Sequence, residues 1–348
     1  MSVYDNARLA WKYGPFQLLK LERFYNDVLD DFVKIYQNLG DRNSYRNMTS
    51  LLESMNPRFI EMTLTSLSEY LTRVIGIDNK LVTELVGAAT KFNYGQFPDT
   101  MHAFVGAVAL IGFDKRLWAV EGGNFRVSEC LLNKSGAKLA RSEVREIVKS
   151  GDRWKIEPNE ETFDVVIIAA PLTEDKSNLK ILNNTSSTPG SYHRTVSTVV
   201  RGDLNTSALG LAKFDLLTSH YFYPASSFPV WSVETMTPVD YSEADSSLPP
   251  VYRLFSHHPL SQEILDTLFT RIEEVSDTDW LAYPVYYPGA DLGHFALSSG
   301  LYYINSVETA ASAMEMSVLG ARNVVNLIEA DYAKNVMLRT SEKYKTEL

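Results

Sequence analysis

The sequence predicts a mixed fold, α/β or α+β, in which a helical first third is followed by strands and closed by one more strand and a long helix. Three observations carry that reading. Apolar residues recur at helical spacing over about the first 115 positions, the period falls to two from Lys138, and the chain ends on "LYYIN" (301–305) running into a helix. The 348 residues, 45% hydrophobic and 22% charged, have an ordinary globular balance and enough length for two domains.

Taken in order, Leu18, Leu21, Tyr25, Val28, Leu29, Phe32 and Tyr36 trace one face of a long amphipathic helix. Asp78 is placed to cap a second helix, Leu81 to Phe92, which Asn93-Tyr94-Gly95 would stop. His102 to Leu110 reads as a third. From Lys138, "AKLARSEVREIVKSG" alternates through Leu139, Val144 and Ile147, and "DRWKIEP" after Gly151 is its hairpin partner. "FDVVIIAAP" (163–171) is a continuous apolar run, which predicts a strand buried on both faces of a parallel or mixed sheet. Arg194 to Tyr287 holds aromatic-rich strand-like pieces and one short helix near Gln262 to Phe269. The closing helix is expected to carry Glu308 in its first turn and to bury Ala310, Met314, Val318, Ala321, Val325 and Ile328.

Composition excludes several functions. A net charge of −10, from 43 acidic and 33 basic residues, disfavours phosphate backbones, so nucleic acid is not expected as a partner. The apolar run 100–113 is too short for a bilayer span, which needs ~20 residues. One cysteine, Cys130, rules out an internal disulfide, and the six histidines lack metal-site spacing, so no metal is expected. There is no G-x-G-x-x-G, P-loop or G-x-S-x-G anywhere. Sequons occur at Asn47, Asn133, Asn183, Asn184 and Asn205, yet the first residues have no apolar leader. A chain that begins inside a longer secretory-pathway protein would reconcile the two.

Two stretches could carry chemistry. After Glu308 come Ala310, Ala311, Ser312 and Ala313, small residues that mean either tight strand–helix packing or room for a ligand at a helix N-terminus. Glu308 would repel a pyrophosphate there but can accept hydrogen bonds from ribose or ribityl hydroxyls. Gly122 and Gly123, in "LWAVEGGN" (117–124), allow close backbone approach or simply a turn.

Several stretches, in order along nearly the whole chain, resemble the prenylcysteine oxidase (prenylcysteine lyase) family of amine-oxidase-like flavoproteins: "NYGQ" (93–96), "AFVGAV" (103–108), "LWAVEGGN", "FDVVIIAAPL" (163–172), "GDLNTS" (202–207), "WLAYP" (280–284) and "LYYINSVETAASAMEMS" (301–317). The resemblance implies part of an FAD-binding fold. Residues 1–115 would form the helical part of the substrate domain, 116–175 and 296–335 the rest of a discontinuous FAD-binding domain, and 176–295 a β-rich substrate-binding domain. It further implies oxidation of S-prenylcysteine to a prenyl aldehyde, cysteine and hydrogen peroxide, with oxygen as acceptor, in lysosomes or the secretory pathway. Glu308 matches the acidic residue of the flavin motif, Ala313 and Met314 the helix start beside the flavin ring, Gly122 and Gly123 the family's glycine pair, and Val144 a strand that bonds adenine. The aromatics of 220–231 and 283–287 could line a prenyl pocket. No catalytic residue is implied. The family's N-terminal G-x-G-x-x-G unit has no counterpart here, which leaves two alternatives: a non-catalytic prenyl-lipid-binding or interaction protein, or a flavin oxidase of another substrate.

Overall fold

The computed structural model describes residues 3–111, 118–158, 161–182, 190–209, 219–221, 229–237 and 249–346. The helical third forms in more pieces than its periodicity predicts. α1 (Val3–Tyr13) precedes α2 (Pro15–Phe32), whose proline sits in the first turn, where its missing N–H has no intrahelical partner to lose. α3 (Lys34–Gly40) follows after Val33. Their buried face is Leu21, Phe24, Val28, Phe32, Ile35 and Leu39, so the predicted stripe is right at Leu21, Val28 and Phe32. Tyr36 is instead exposed, its hydroxyl donating to Glu315 at 2.7 Å.

α4 (Met48–Met55), α5 (Arg58–Leu64) and α6 (Leu67–Glu69) come next, with a π-helical turn at Tyr70–Ile75. The predicted second helix is α7 (Asn79–Leu81), a π-helical turn at Val82–Val86, and α8 (Gly87–Tyr94). Asp78 holds the N-cap position without a side-chain cap bond, and Gly95, at φ +67°, ends the helix as expected. α9 (Ala103–Ile111) is the third helix. It can approach α6 closely because Gly106 lacks a Cβ, which would stand 2.4 Å from Leu67. α10 (Phe125–Ser135) has no buried residue.

The strands are β1 (Glu146–Ser150), β2 (Arg153–Glu157), β3 (Glu161–Phe163), β4 (Val166–Ile168), β5 (Lys180–Leu182), β6 (Tyr192–Leu204), β7 (Ser219–Tyr221), β8 (Val230–Met236) and β9 (Val251–Ser256). After α11 (Gln262–Leu268) come β10 (Phe269–Pro284), β11 (Ala296–Ser298) and β12 (Leu301–Tyr303), then a 3-10 turn at Ile304–Thr309 and α12 (Met314–Thr346). They form three sheets, ordered β3-β2-β1-β5, β10-β6-β9-β8-β7 and β11-β12-β4. The large antiparallel sheet and α11 share one core around Val200, Leu254 and Leu268. The small sheets share another around Trp154, Ile168 and Leu301. The helical layer and the inner face of α12 form the largest core.

Three expectations are corrected. The alternation predicted from Lys138 becomes a strand only at Glu146. Leu139 and Val144 are exposed, and ladder bonding begins at the Arg145 N–H. The hairpin across Gly151 forms as predicted. The run 163–171 is a short strand buried on one face, not two: β4 does pair in parallel with β12, but Val165 and Ile167 are exposed. The last helix begins at Met314 rather than around Glu308, because residues 304–309 turn more tightly first. Its buried face is Met316, Leu319, Asn323, Val324 and Leu327, while Met314, Val318 and Val325 of the predicted stripe are exposed. No helix among the described residues is long and apolar enough to cross a membrane, and no group of three or more metal-ligating side chains occurs among them.

Candidate functional site

β12 delivers the chain to the tight turn that holds Glu308, and this turn forms one wall of an open cleft. Tyr303, Asn305, Ser306, Glu308 and Thr309 come from this wall. Thr173 comes from the loop after β4, Gly190, Ser191 and Tyr192 from the start of β6, and Pro284, Val285, Tyr287, Ala290, Asp291 and Gly293 from the end of β10 and the segment after it. The wall is rigid because Ser306 donates to the His294 carbonyl at 2.6 Å and Thr309 to the Leu292 carbonyl at 2.7 Å.

Within the cleft, the Tyr192 hydroxyl donates to Glu308 Oε2 at 2.5 Å. Burial raises the Tyr192 pKa, and the carboxylate beside it raises it further, so the phenol stays a neutral donor. The Lys176 ammonium stands 5.0 Å from its ring centroid. Tyr303 is pushed up to about 12 by burial and accepts from the Leu172 N–H at 3.3 Å. Thr173 is buried.

These groups fit part of a flavin nucleotide. A carboxylate and a buried hydroxyl suit the hydroxyls of a ribityl or ribose chain, and the glycines leave backbone within reach. The lining does not suit a diphosphate. Among the described residues its charged lining is Asp291 and Glu308, both acidic, with no lysine or arginine.

Of the residues that the sequence singled out, Glu308 and, from the aromatic stretch 283–287, Tyr287 line the cleft. Ala310 and Ala311 are fully buried, so the small residues serve tight packing, and the cleft opens beside them rather than over them. The Ser312 carbonyl accepts from Tyr94 at 2.9 Å; Ala313 is half-buried and Met314 is 54% exposed. Gly122 and Gly123 have φ of +77° and +108°, the unusual backbone that paired glycines permit, but they form an exposed turn ahead of α10 and do not line the cleft. Val144 precedes β1 and is exposed. Tyr283 packs edge-on to Tyr94 at 5.5 Å, and Tyr286 does so at 5.3 Å. Of the aromatic stretch 220–231, residues 222–228 lie outside the described residues, as do Asn183 and Asn184.

Among the remaining sequons, Asn47 caps α4, accepting from the Ser50 N–H at 2.8 Å, and Asn205 donates to the Thr267 carbonyl. Asn133 is exposed on α10. Sequence reading missed Tyr192, Thr173 and Asp291. They reach the cleft through long-range pairing, and none stands in a motif that could have announced it.

A family model described as prenylcysteine lyase matches residues 1–339. Prenylcysteine oxidase 1 of Pongo abelii is 31% identical over 374 residues, covering 99% of this chain and 74% of that protein. The Homo sapiens protein of that name is 32% identical over 349 residues, covering 93% and 68%. Prenylcysteine oxidase 1-like of Mus musculus is 30% identical over 343 residues, covering 92% and 68%. Two solved structures of putrescine oxidase, redesigned in cofactor binding, superpose with TM-scores of 0.52 and 0.53 at 11% and 12% identity, over 90% of this chain and 76% of theirs. They share the fold. The chain belongs to the prenylcysteine lyase family.

Proposed function

We propose that this family member oxidises the thioether of S-prenyl-L-cysteine, using bound FAD, oxygen and water, to a prenyl aldehyde, cysteine and hydrogen peroxide, the aldehyde oxygen coming from water. The observation that carries this is the Tyr192-held carboxylate of Glu308 on the cleft wall, inside the stretch most like the family. A bound flavin would supply the hydride acceptor for the carbon beside sulfur. Glu308 would accept a hydrogen bond from a hydroxyl of the cofactor's ribityl chain. Tyr192 holds that carboxylate in place and keeps its own proton, so it orients rather than titrates. Tyr94, bound to the Ser312 carbonyl, fixes the approach to α12 and packs edge-on with Tyr283 and Tyr286 in the main core.

The division into a flavin half (116–175 and 296–335), a β-rich substrate half (176–295) and a helical flank (1–115) forms part of the proposal. The parallel pairing of β4 with β12, far apart in sequence, supports it. A lysosomal or secretory location is also proposed, with exposed Asn133 as its glycan site.

A second reading, oxidation of an amine, is favoured by the two carboxylates, Asp291 and Glu308, in one cleft. FAD-loaded chain given S-farnesylcysteine should release peroxide and farnesal in equal amounts and leave putrescine untouched. Turnover of putrescine alone would favour the amine reading. Flavin-loaded protein that makes peroxide from neither would overturn both.

A further inference from the structure

Behind the cleft, α8 and the large sheet enclose a buried cation. Lys91 is 8% exposed, and its Nζ donates to the Gly95 carbonyl at 2.7 Å. The ammonium stands 4.6 Å from the centroid of the Trp231 ring and 4.7 Å from that of Phe97. Among the described residues no carboxylate lies within ion-pair distance of it, although a buried charge ordinarily needs one.

Across from it, His193 and His257 pack 5.3 Å apart, and the Trp231 ring lies 4.5 Å from His257 and 6.1 Å from His193. The imidazole of His193 rests on the Gly95 turn, where a Cβ would come within 3.0 Å of it. Trp231 Nε1 is buried without a partner, as are Thr195 Oγ1 and Ser232 Oγ on the same sheet. Among the described residues the nest thus holds a positive charge, several spare donors and no anion. Exposed His257 opens it to solvent.

Burial lowers the Lys91 pKa to about 8, which leaves it charged at neutral pH. Burial also pushes His193 down, and the Lys91 charge pushes it further, as expected where cations face each other without a counter-ion. The nest adjoins the proposed active site along the chain. His193 follows Tyr192, the partner of Glu308, and Lys91 lies one helical turn before Tyr94, which binds the Ser312 carbonyl.

We propose that Lys91, His193 and Trp231 form the pocket for the substrate's carboxylate, the anionic end of an S-alkylated amino acid. A single ammonium framed by aromatic rings matches one carboxylate better than a doubly charged phosphate, which would leave charge uncompensated. The inference rests on the S-prenylcysteine reading and adds which end of that substrate meets which residues.

The test is calorimetric titration of the whole chain, with FAD in excess, by S-farnesylcysteine and by its methyl ester, which lacks the anion. The wild type should bind the free acid about tenfold or more tighter, the worth of a charge-assisted hydrogen bond. Lys91→Met should remove that preference without weakening the ester, and Lys91→Arg should restore most of it. Trp231→Phe, which removes the donor and shrinks the ring, should reduce it in part. Equal binding of acid and ester by the wild type would overturn the carboxylate pocket while leaving the thioether substrate standing, and that comparison needs no variant to fold. Binding of neither ligand would overturn both.

Discussion

The two faces of α12 make an instructive pair. Both carry apolar residues at helical spacing, yet one is sealed into the largest core and the other lies open. On the sealed face, Met316, Leu319, Val324 and Leu327 share the helix with two buried asparagines. Asn323 bonds both backbone groups of Tyr45 at 2.8 Å, and Asn326 donates to the carbonyls of Leu39 and Asn43 at 2.9 and 2.8 Å. On the open face, Met314, Val318 and Val325 are 54%, 56% and 42% exposed. A hydropathy pattern favours the open face because the asparagines read as polar. The structure buries them because they satisfy loop carbonyls that would otherwise be stranded. Which face is buried is thus decided by the hydrogen-bond demands of a loop nearly 280 residues away in the chain.

The comparison can be broken at the sealed side first. Phe59, fully buried and edge-on to Phe104 at 5.1 Å, belongs to the same core. Phe59→Ala should lose about 3–5 kcal/mol in urea unfolding. If the loss were under about 1 kcal/mol, the helical core would not be the rigid platform described.

Acid offers a second probe. His102 is fully buried, accepts from the Val105 N–H at 3.2 Å, and is pushed by burial down to about 4. The unfolded histidine, near 6.5, takes up its proton first, so stability rises with pH between these values. The contribution is complete above about 6.5 and is lost as pH falls toward about 4, at most about 3 kcal/mol. Thermal melts across that window should show the loss, and His102→Gln should flatten it.

Asn326→Ala strands two carbonyls and should cost about 1–3 kcal/mol. A neutral outcome would mean that water replaces the clamp. On the open face, Val318→Lys should change stability by less than about 0.5 kcal/mol. A large loss there would mean that this face is covered in solution.

Much of this architecture was legible. Three helical segments, the Gly151 hairpin and the closing strand–helix unit follow from period and punctuation, since these are local signals. Glu308 was found because its motif is long and local. The rest of the site was not legible, for physical reasons. Tyr192 meets Glu308 across 116 positions. The tight turn at 304–309 displaces the helix start that would have put Ala313 and Met314 over the cleft. The π-helical turns at 70–75 and 82–86 leave no mark in the hydrophobic spacing.

The most direct test of the central claim is the visible absorption spectrum of the chain after incubation with FAD and gel filtration, for wild type beside Glu308→Leu. The account predicts a flavin band that co-elutes with the wild type and is largely lost in the variant, with both proteins folded by circular dichroism. Equal flavin on both proteins would contradict the assignment of Glu308, and none on the wild type would contradict flavin binding by this chain.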